Sequence, residues 1–135
     1  MSEFRKVTDE FSVAPQIDLA DVARAAAEGF VLIINNRPDG ESPDQPSSAQ
    51  MEAEARKAGV AYVHIPVRGG PTPEQVDIEQ ALLAETKGPV LAYCRSGTRS
   101  IVTWSIGQAL AGDRSRGDLI ALGAEAGYDL SGVLG

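Results

Sequence analysis

The most regular feature of the chain is a short apolar run followed by a segment with helical spacing, repeated several times. The run 30–34 is apolar at every position, as expected for a strand covered on both faces. Similar runs at 60–65 and 89–93 predict two more strands. The short stretches 5–8 and 11–14 predict a small N-terminal β element.

Helix start and stop signals separate these runs. Asp18 is a predicted N-cap, and Ser47 and Thr72 each begin a capping box. The predicted helices cover about 18–28, 47–58, 72–86, 101–111 and 116–126. Strands that alternate with helices at this spacing favour parallel pairing through right-handed crossovers. The sequence therefore predicts a three-layer α/β sandwich with a mainly parallel central sheet, and its 135 residues suffice for one domain over 1–135.

Composition and charge exclude several classes of function. Twelve Lys and Arg against nineteen Asp and Glu leave a net charge of −7, which disfavours nucleic acid and acidic membrane surfaces as partners. The N-terminus has no apolar secretory core, so we expect a cytoplasmic protein. Cys94 is the only cysteine and His64 the only histidine, and neither a dinucleotide fingerprint nor a Walker motif is present. We therefore expect no disulfide, no metal and no cofactor.

Three loops of the predicted sandwich share one edge of the sheet. Ligands of open α/β sheets bind beyond the carboxyl ends of the strands. The loops at those ends are 35–41, 66–71 and 94–100. A small-molecule site is therefore expected where they meet.

The loop after the third apolar run carries the chemistry. Cys94 ends this run and a helix follows the loop, so successive backbone N–H groups and the helix dipole can converge on an oxyanion. The same field favours thiolate over thiol and makes Cys94 a candidate nucleophile. The substrate-binding residues predicted in this loop are Arg95, Ser96, Gly97 and Thr98. The alternative is that the cysteine is a small buried hydrophobe.

Individual residues of the loop have predicted roles. The loop 94–100 is called the cradle below, because it would surround a bound anion. Gly97 permits the positive φ that a tight loop of this kind requires. Arg99 can grip two oxygens of an anion with its planar fork, and Ser100 can donate a hydrogen bond to the cysteine sulfur. The competing interpretation is that Thr98 and Ser100 cap the helix while the arginines are solvated.

Three segments together resemble a known family. They are 35–41 (NNRPDGE), 64–67 (HIPV) and 93–100 (YCRSGTRS). In order and spacing they resemble the phosphatase-like domain of bacterial beta-lactamase-hydrolase-like proteins, over about residues 4–112. The resemblance implies a dual-specificity protein tyrosine phosphatase fold, with Cys94 and Arg99 at the nucleophile and anion-clamp positions.

The sequence departs from the tyrosine phosphatase pattern in loop length. Those enzymes place five residues between cysteine and arginine, whereas four separate Cys94 from Arg99 here. The six-residue form C-R-S-G-T-R instead resembles the active-site loop of rhodanese sulfurtransferases, whose cysteine carries a persulfide. A tighter cradle with fewer N–H groups suits a terminal sulfur better than a phosphate tetrahedron.

A second departure concerns the general acid. Phosphatases of this fold take an aspartate from a loop about thirty residues before the cysteine, and the stretch 64–70 contains no carboxylate. Asp39 or Glu41 could substitute from the neighbouring loop, because general acid catalysis depends on geometry. The alternative for Asp39 is a simple β-turn. Arg37 and Glu41 complete the predicted substrate-binding set.

These observations predict an enzyme that acts through a covalent Cys94 intermediate. Sulfane-sulfur transfer is the leading expectation, because release of sulfite needs no proton donor. Phosphoester hydrolysis is the alternative, and a non-enzymatic oxyanion or redox sensor is the third. The expected partners are a small anionic substrate, namely thiosulfate, a persulfide or a phosphoester, and for sulfur transfer a sulfide-oxidising protein.

Overall fold

The computed structural model describes residues 3–134 of the chain. Its strands are β1 (Arg5–Thr8), β2 (Phe11–Ala14), β3 (Leu32–Asn35), β4 (Ala61–His64) and β5 (Val90–Tyr93). Its helices are α1 (Leu19–Ala27), α2 (Ser48–Ala58), α3 (Pro73–Glu85), α4 (Thr98–Ala111) and α5 (Arg116–Glu125). Elements therefore form in the predicted order, with boundaries shifted by up to three residues.

Local signals explain most helix boundaries. Asp18, Ser47 and Thr72 each form a complete capping box at the start of α1, α2 and α3. The exception is α4, which the sequence analysis started at Ile101 and which begins at Thr98. That prediction was wrong because Gly97 takes a left-handed conformation, with φ 92°, that turns the chain directly from the loop into the helix.

The five strands form one sheet in the order β1-β2-β5-β3-β4. Only the β1–β2 pair is antiparallel, and β2–β5, β5–β3 and β3–β4 are parallel. The N-terminal hairpin is therefore continuous with the parallel sheet, as β2 lies directly beside β5. This order places β5, and with it the cysteine loop, at the centre of the sheet.

Helices cover both faces of the sheet. One apolar core lies under α1 and α2 and includes Val22, Met51 and Leu91. The other lies under α3, α4 and α5, where Phe11 stacks on Trp104 with ring centroids 5.0 Å apart. The structure thus confirms the predicted three-layer sandwich. Among residues 3–134, no helix combines the length and apolar character needed to cross a membrane.

Candidate active site

Cys94 lies immediately beyond the carboxyl end of β5 and is fully buried. Its backbone N–H donates to the Ala14 carbonyl oxygen at 3.4 Å, which continues the β2–β5 pairing into the loop. Its Sγ accepts a hydrogen bond from the Gly97 N–H at 3.1 Å. The cradle therefore already directs one backbone donor at the sulfur.

Gly97 makes the sharp turn of the cradle into α4. Its φ of 92° disfavours any side chain, and a Cβ there would lie 2.1 Å from Tyr128 Oη. Tyr128 Oη in turn donates to the Ser96 carbonyl oxygen at 2.9 Å. A tyrosine from beyond the last helix thus closes the outer side of the loop and excludes every residue but glycine at position 97.

The helix that follows the cradle has an open N-terminus. The N-cap residue supplies a side-chain cap to α1, α2, α3 and α5, whereas the N-cap of α4 is Gly97, which has no side chain. Ser96 Oγ accepts the Thr98 N–H at 3.3 Å, and the N–H groups of Arg99 and Ser100 have no side-chain acceptor among the described residues. The first-turn N–H groups of a helix lack intrahelical acceptors and carry the positive end of its dipole. An anion at the mouth of the cradle would meet that potential.

Arg99, in the first turn of α4, is held on two sides. Its Nη1 donates to the Val67 carbonyl oxygen at 2.8 Å, and Nη1 and Nη2 each donate to a carboxylate oxygen of Glu41, also at 2.8 Å. These bonds to Glu41 raise the pKa of Arg99. The fork is therefore engaged by a planar anion in the geometry predicted for an oxyanion.

Glu41 joins two arginines. Besides Arg99, it accepts from Arg37 Nε at 2.9 Å, and Arg37 Nη1 reaches Gln16 Oε1 at 3.0 Å. The bonds from Arg99 and then Arg37 lower the pKa of Glu41 to about 2. Glu41 is ionised at neutral pH, so in this arrangement it accepts hydrogen bonds and has no proton to give. That does not fit the general-acid role considered for it.

Asp39 has a structural partner. Its Oδ1 accepts the Ser48 N–H at 2.8 Å, at the first residue of α2, and the side chain is on the surface. This bond anchors the loop to the helix, and Asp39 and Gly40 also form a turn. Asp39 lies on the expected edge of the sheet, yet within residues 3–134 no hydrogen bond or ion pair joins it to the Cys94 loop.

The other predicted residues are distributed around the cradle. Ser100 is fully buried, but its Oγ has no hydrogen-bond partner among the described residues, so the predicted bond to Cys94 is not formed here. Arg95 is exposed, and its carbonyl oxygen accepts from the Gln16 N–H at 3.1 Å. Ser96 and Thr98 bond to each other through their hydroxyls at 3.0 Å, on the outer side of the loop.

Two contributors to the site were missed by sequence reasoning. The Val67 carbonyl oxygen orients Arg99, and Asn36 joins the strand ends beneath the loop. A backbone carbonyl leaves no signal in a sequence. The Asn35-Asn36 pair directly after an apolar strand is a visible signal, but the sequence analysis gives neither asparagine a role of its own.

The described residues contain no cluster of three or more His, Cys, Asp or Glu side chains able to hold a metal ion. His64, at the end of β4, donates from its ring to the Arg37 carbonyl oxygen at 2.8 Å. It therefore supports the loop that carries Glu41.

Comparison with known proteins agrees with this architecture. The chain is 41% identical over 127 residues to a beta-lactamase hydrolase-like protein of Agrobacterium fabrum and 36% identical over 126 residues to one of Xylella fastidiosa. These alignments cover 93% and 92% of this chain but only 29% of each relative. The chain therefore spans less than a third of the length of these relatives.

Solved structures with the same fold include phosphatases. A candidate phosphatase from Neisseria meningitidis superposes with a TM-score of 0.84 at 33% identity, covering 96% of this chain and 92% of that one. Tk-PTP in its active form superposes with a TM-score of 0.76 at 18% identity, covering 95% and 87%. The fold is thus that of the protein tyrosine phosphatases.

The resemblance seen in the sequence is confirmed at the level of the family. The family model described as "Beta-lactamase hydrolase-like protein, phosphatase-like domain" matches residues 3–111 of this chain. The matched range includes β1 to β5 and the whole cradle. The chain belongs to this family of phosphatase-like domains.

Proposed function

We propose that the protein is a cysteine-dependent phosphoester hydrolase with Cys94 as its nucleophile. The observation that carries the proposal is the cradle itself: a buried sulfur at a strand end, a backbone N–H directed at it and an arginine fork across its mouth. The similarity to candidate phosphatases supports this function over sulfane-sulfur transfer, which the sequence analysis placed first.

The reaction follows from these groups. The Cys94 thiolate attacks phosphorus, an S–P bond forms, and the ester P–O bond breaks with its electron pair leaving on the alcohol oxygen. Water then attacks phosphorus, the S–P bond breaks, and inorganic phosphate is released with the thiolate restored. Arg99 and the first-turn N–H groups of α4 stabilise the charge on the phosphoryl oxygens. Glu41 must release the Arg99 fork when the substrate takes it.

No proton donor is placed at the cradle among the described residues, and this sets the substrate preference. Glu41 is ionised and bound to two arginines, and Asp39 bonds to the start of α2. Without a general acid, the leaving oxygen must depart as an anion. We therefore expect aryl phosphates with acidic phenols to react well and alkyl phosphates to react slowly.

Sulfane-sulfur transfer is a second candidate, favoured by the interval of four residues between Cys94 and Arg99. The thiolate would attack the outer sulfur of thiosulfate, forming a persulfide on Cys94 and expelling sulfite with the electron pair of the broken S–S bond. No proton donor is required. A sulfide-oxidising partner would supply or consume such a persulfide.

One experiment separates the candidates. Purified wild-type protein and Cys94→Ser are assayed with aryl phosphates, and each is treated with thiosulfate and weighed by mass spectrometry. The proposal expects kcat/KM for an activated aryl phosphate in the enzymatic range of about 10⁴ M⁻¹s⁻¹ or above, lost in Cys94→Ser. Feeble hydrolysis with a gain of roughly 32 Da on Cys94, removable by cyanide, would support sulfur transfer instead. Neither activity would favour a sensor.

A further inference from the structure

A carboxyl group lies buried near the candidate active site, and the proposed mechanism makes no use of it. Glu79 projects from α3 and is 1% exposed. Its Oε1 accepts a hydrogen bond from Asn36 Nδ2 at 3.3 Å, while Oε2 has no partner among the described residues. A buried carboxyl group is costly, and its presence in α3, where Val76 is the other buried residue of the helix, needs an explanation.

Asn36, its partner, joins three strand ends. The Asn36 N–H donates to the Tyr93 carbonyl oxygen at the end of β5, at 2.8 Å. Its Nδ2 donates to the Ile65 carbonyl oxygen, just past β4, at 3.0 Å. Its own carbonyl oxygen accepts from the Val67 N–H at 2.9 Å. One buried residue therefore fixes the carboxyl ends of β3, β4 and β5 relative to each other.

These bonds connect Asn36 to the neighbourhoods of Cys94 and Arg99. Tyr93 is the residue before Cys94, and Val67 presents the carbonyl oxygen that accepts from Arg99 Nη1 at 2.8 Å. A shift of Asn36 would move both the start of the cradle and the support of the arginine fork.

We propose that Glu79 is a positioning residue for the oxyanion site: it holds Asn36, and through Asn36 it holds the Val67 carbonyl that orients Arg99. The proposal rests on the proposed function only in taking Arg99 as the anion clamp. It requires Glu79 to be uncharged when the site is competent.

The hydrogen bonding supports the uncharged form. Asn36 Oδ1 and Glu79 Oε2 are both buried without partners. They complement each other only when Glu79 is protonated, because Oε2 then carries a hydrogen and Asn36 Oδ1 can accept one. Burial raises the pKa of Glu79 to about 7, against a smaller lowering by Asn36.

The surrounding charges do not offset ionisation. α4, which packs against α3, carries Arg99, and the strand ends joined by Asn36 carry Arg37 and His64. Arg99 and Arg37 pair with Glu41, and His64 bonds to a carbonyl oxygen. No ion pair to Glu79 is found within residues 3–134, so a rise in pH through neutrality would leave a buried charge beside Asn36.

Sulfate binding tests the proposal without any turnover. Sulfate remains a dianion from about pH 6 to about pH 8.5, and Cys94→Ser removes the thiol, so calorimetry in that background reports on the remaining site. We expect sulfate to bind at least about fivefold more weakly at the higher pH. Glu79→Gln in the same background should bind sulfate with equal affinity at the two pH values. Glu85→Gln, at an exposed position of the same helix, should behave like the parent.

Arg99→Ala establishes that sulfate binds in the cradle, because its binding should be lost. A pH dependence that persists in Glu79→Gln, or a parent that binds sulfate equally at both pH values or not at all, would overturn the proposal. If sulfate affinity changes with pH as expected but no aryl phosphate is hydrolysed, the proposed function is rejected while the role of Glu79 stands.

Discussion

At the scale of single residues, the candidate site depends on the shape of a guanidinium as much as on its charge. Arg99 makes three hydrogen bonds at 2.8 Å, two to Glu41 and one to the Val67 carbonyl oxygen. A lysine ammonium is a compact point charge and cannot reproduce this fork. The position should therefore not tolerate the exchange of one cation for another.

We expect Arg99→Lys to lose nearly as much activity as Arg99→Ala, with kcat/KM on an aryl phosphate falling by about 10² or more in both, because a preorganised transition-state donor is removed. Steady-state kinetics on the two variants is the measurement. Arg56→Lys is the matched control, since Arg56 is exposed on α2, outside the cradle. Near-normal kinetics of Arg99→Lys would show that the anion is not held by a fork.

At the scale of elements, the relation between β5 and α4 decides what the cradle accepts. Thr98, Arg99 and Ser100 lie in the first helical turn rather than in a loop, and the Arg99 guanidinium interacts with the Cys94 side chain. With Gly97 packed against Tyr128, the turn has no spare length. The four residues between Cys94 and Arg99 therefore define a narrow site.

Inserting one glycine between Gly97 and Thr98 would lengthen the interval to five residues and widen the cradle. We expect aryl phosphate hydrolysis to be retained or to rise, while any persulfide formation from thiosulfate falls. Paired assays of the two reactions give the comparison, and the same insertion between the exposed Gly112 and Asp113 is the control. An equal fall in both reactions would mean that the loop length does not select the substrate.

At the scale of the whole molecule, two carboxyl groups near the site give the fold opposite responses to pH. The pKa of Glu41 is lowered to about 2, so its contribution to stability is present above about pH 4.5 and is lost as pH falls through 2. The pKa of Glu79 is raised to about 7, so the folded state holds a proton there that the unfolded state has lost. Stability from Glu79 therefore falls as pH rises from about 4.5 to about 7.

Glu79→Gln should remove the loss of stability that Glu79 causes as pH rises. We expect the unfolding free energy of the wild type, relative to the variant, to decrease by up to about 3 kcal/mol between pH 5 and pH 8. Urea titrations followed by Trp104 fluorescence measure the difference. Parallel pH profiles for the two proteins would show that Glu79 has the same proton affinity folded and unfolded.

Much of this architecture was readable from the sequence because its signals are local. Capping residues at Asp18, Ser47 and Thr72 mark three helices, and apolar runs mark the central strands. The segment 94–100 combines a strand end, a cysteine and a following helix within seven residues, so its role as a cradle also follows from short-range order. Local signals determine elements, and the alternation of elements determines the layers.

Only the tertiary structure decided which groups face the cradle. Glu41 reaches Arg99 across 58 positions of sequence, and Glu79 reaches Asn36 across 43. These pairings depend on the strand order β1-β2-β5-β3-β4, which places the end of β3 beside that of β5 and thus brings the loops of 35–41 and 94–100 together. In the sequence, a glutamate or aspartate looks the same whether its side chain donates a proton, binds an arginine or lies buried and neutral. Its surroundings, which the packing of distant segments creates, set its proton affinity and hence its role.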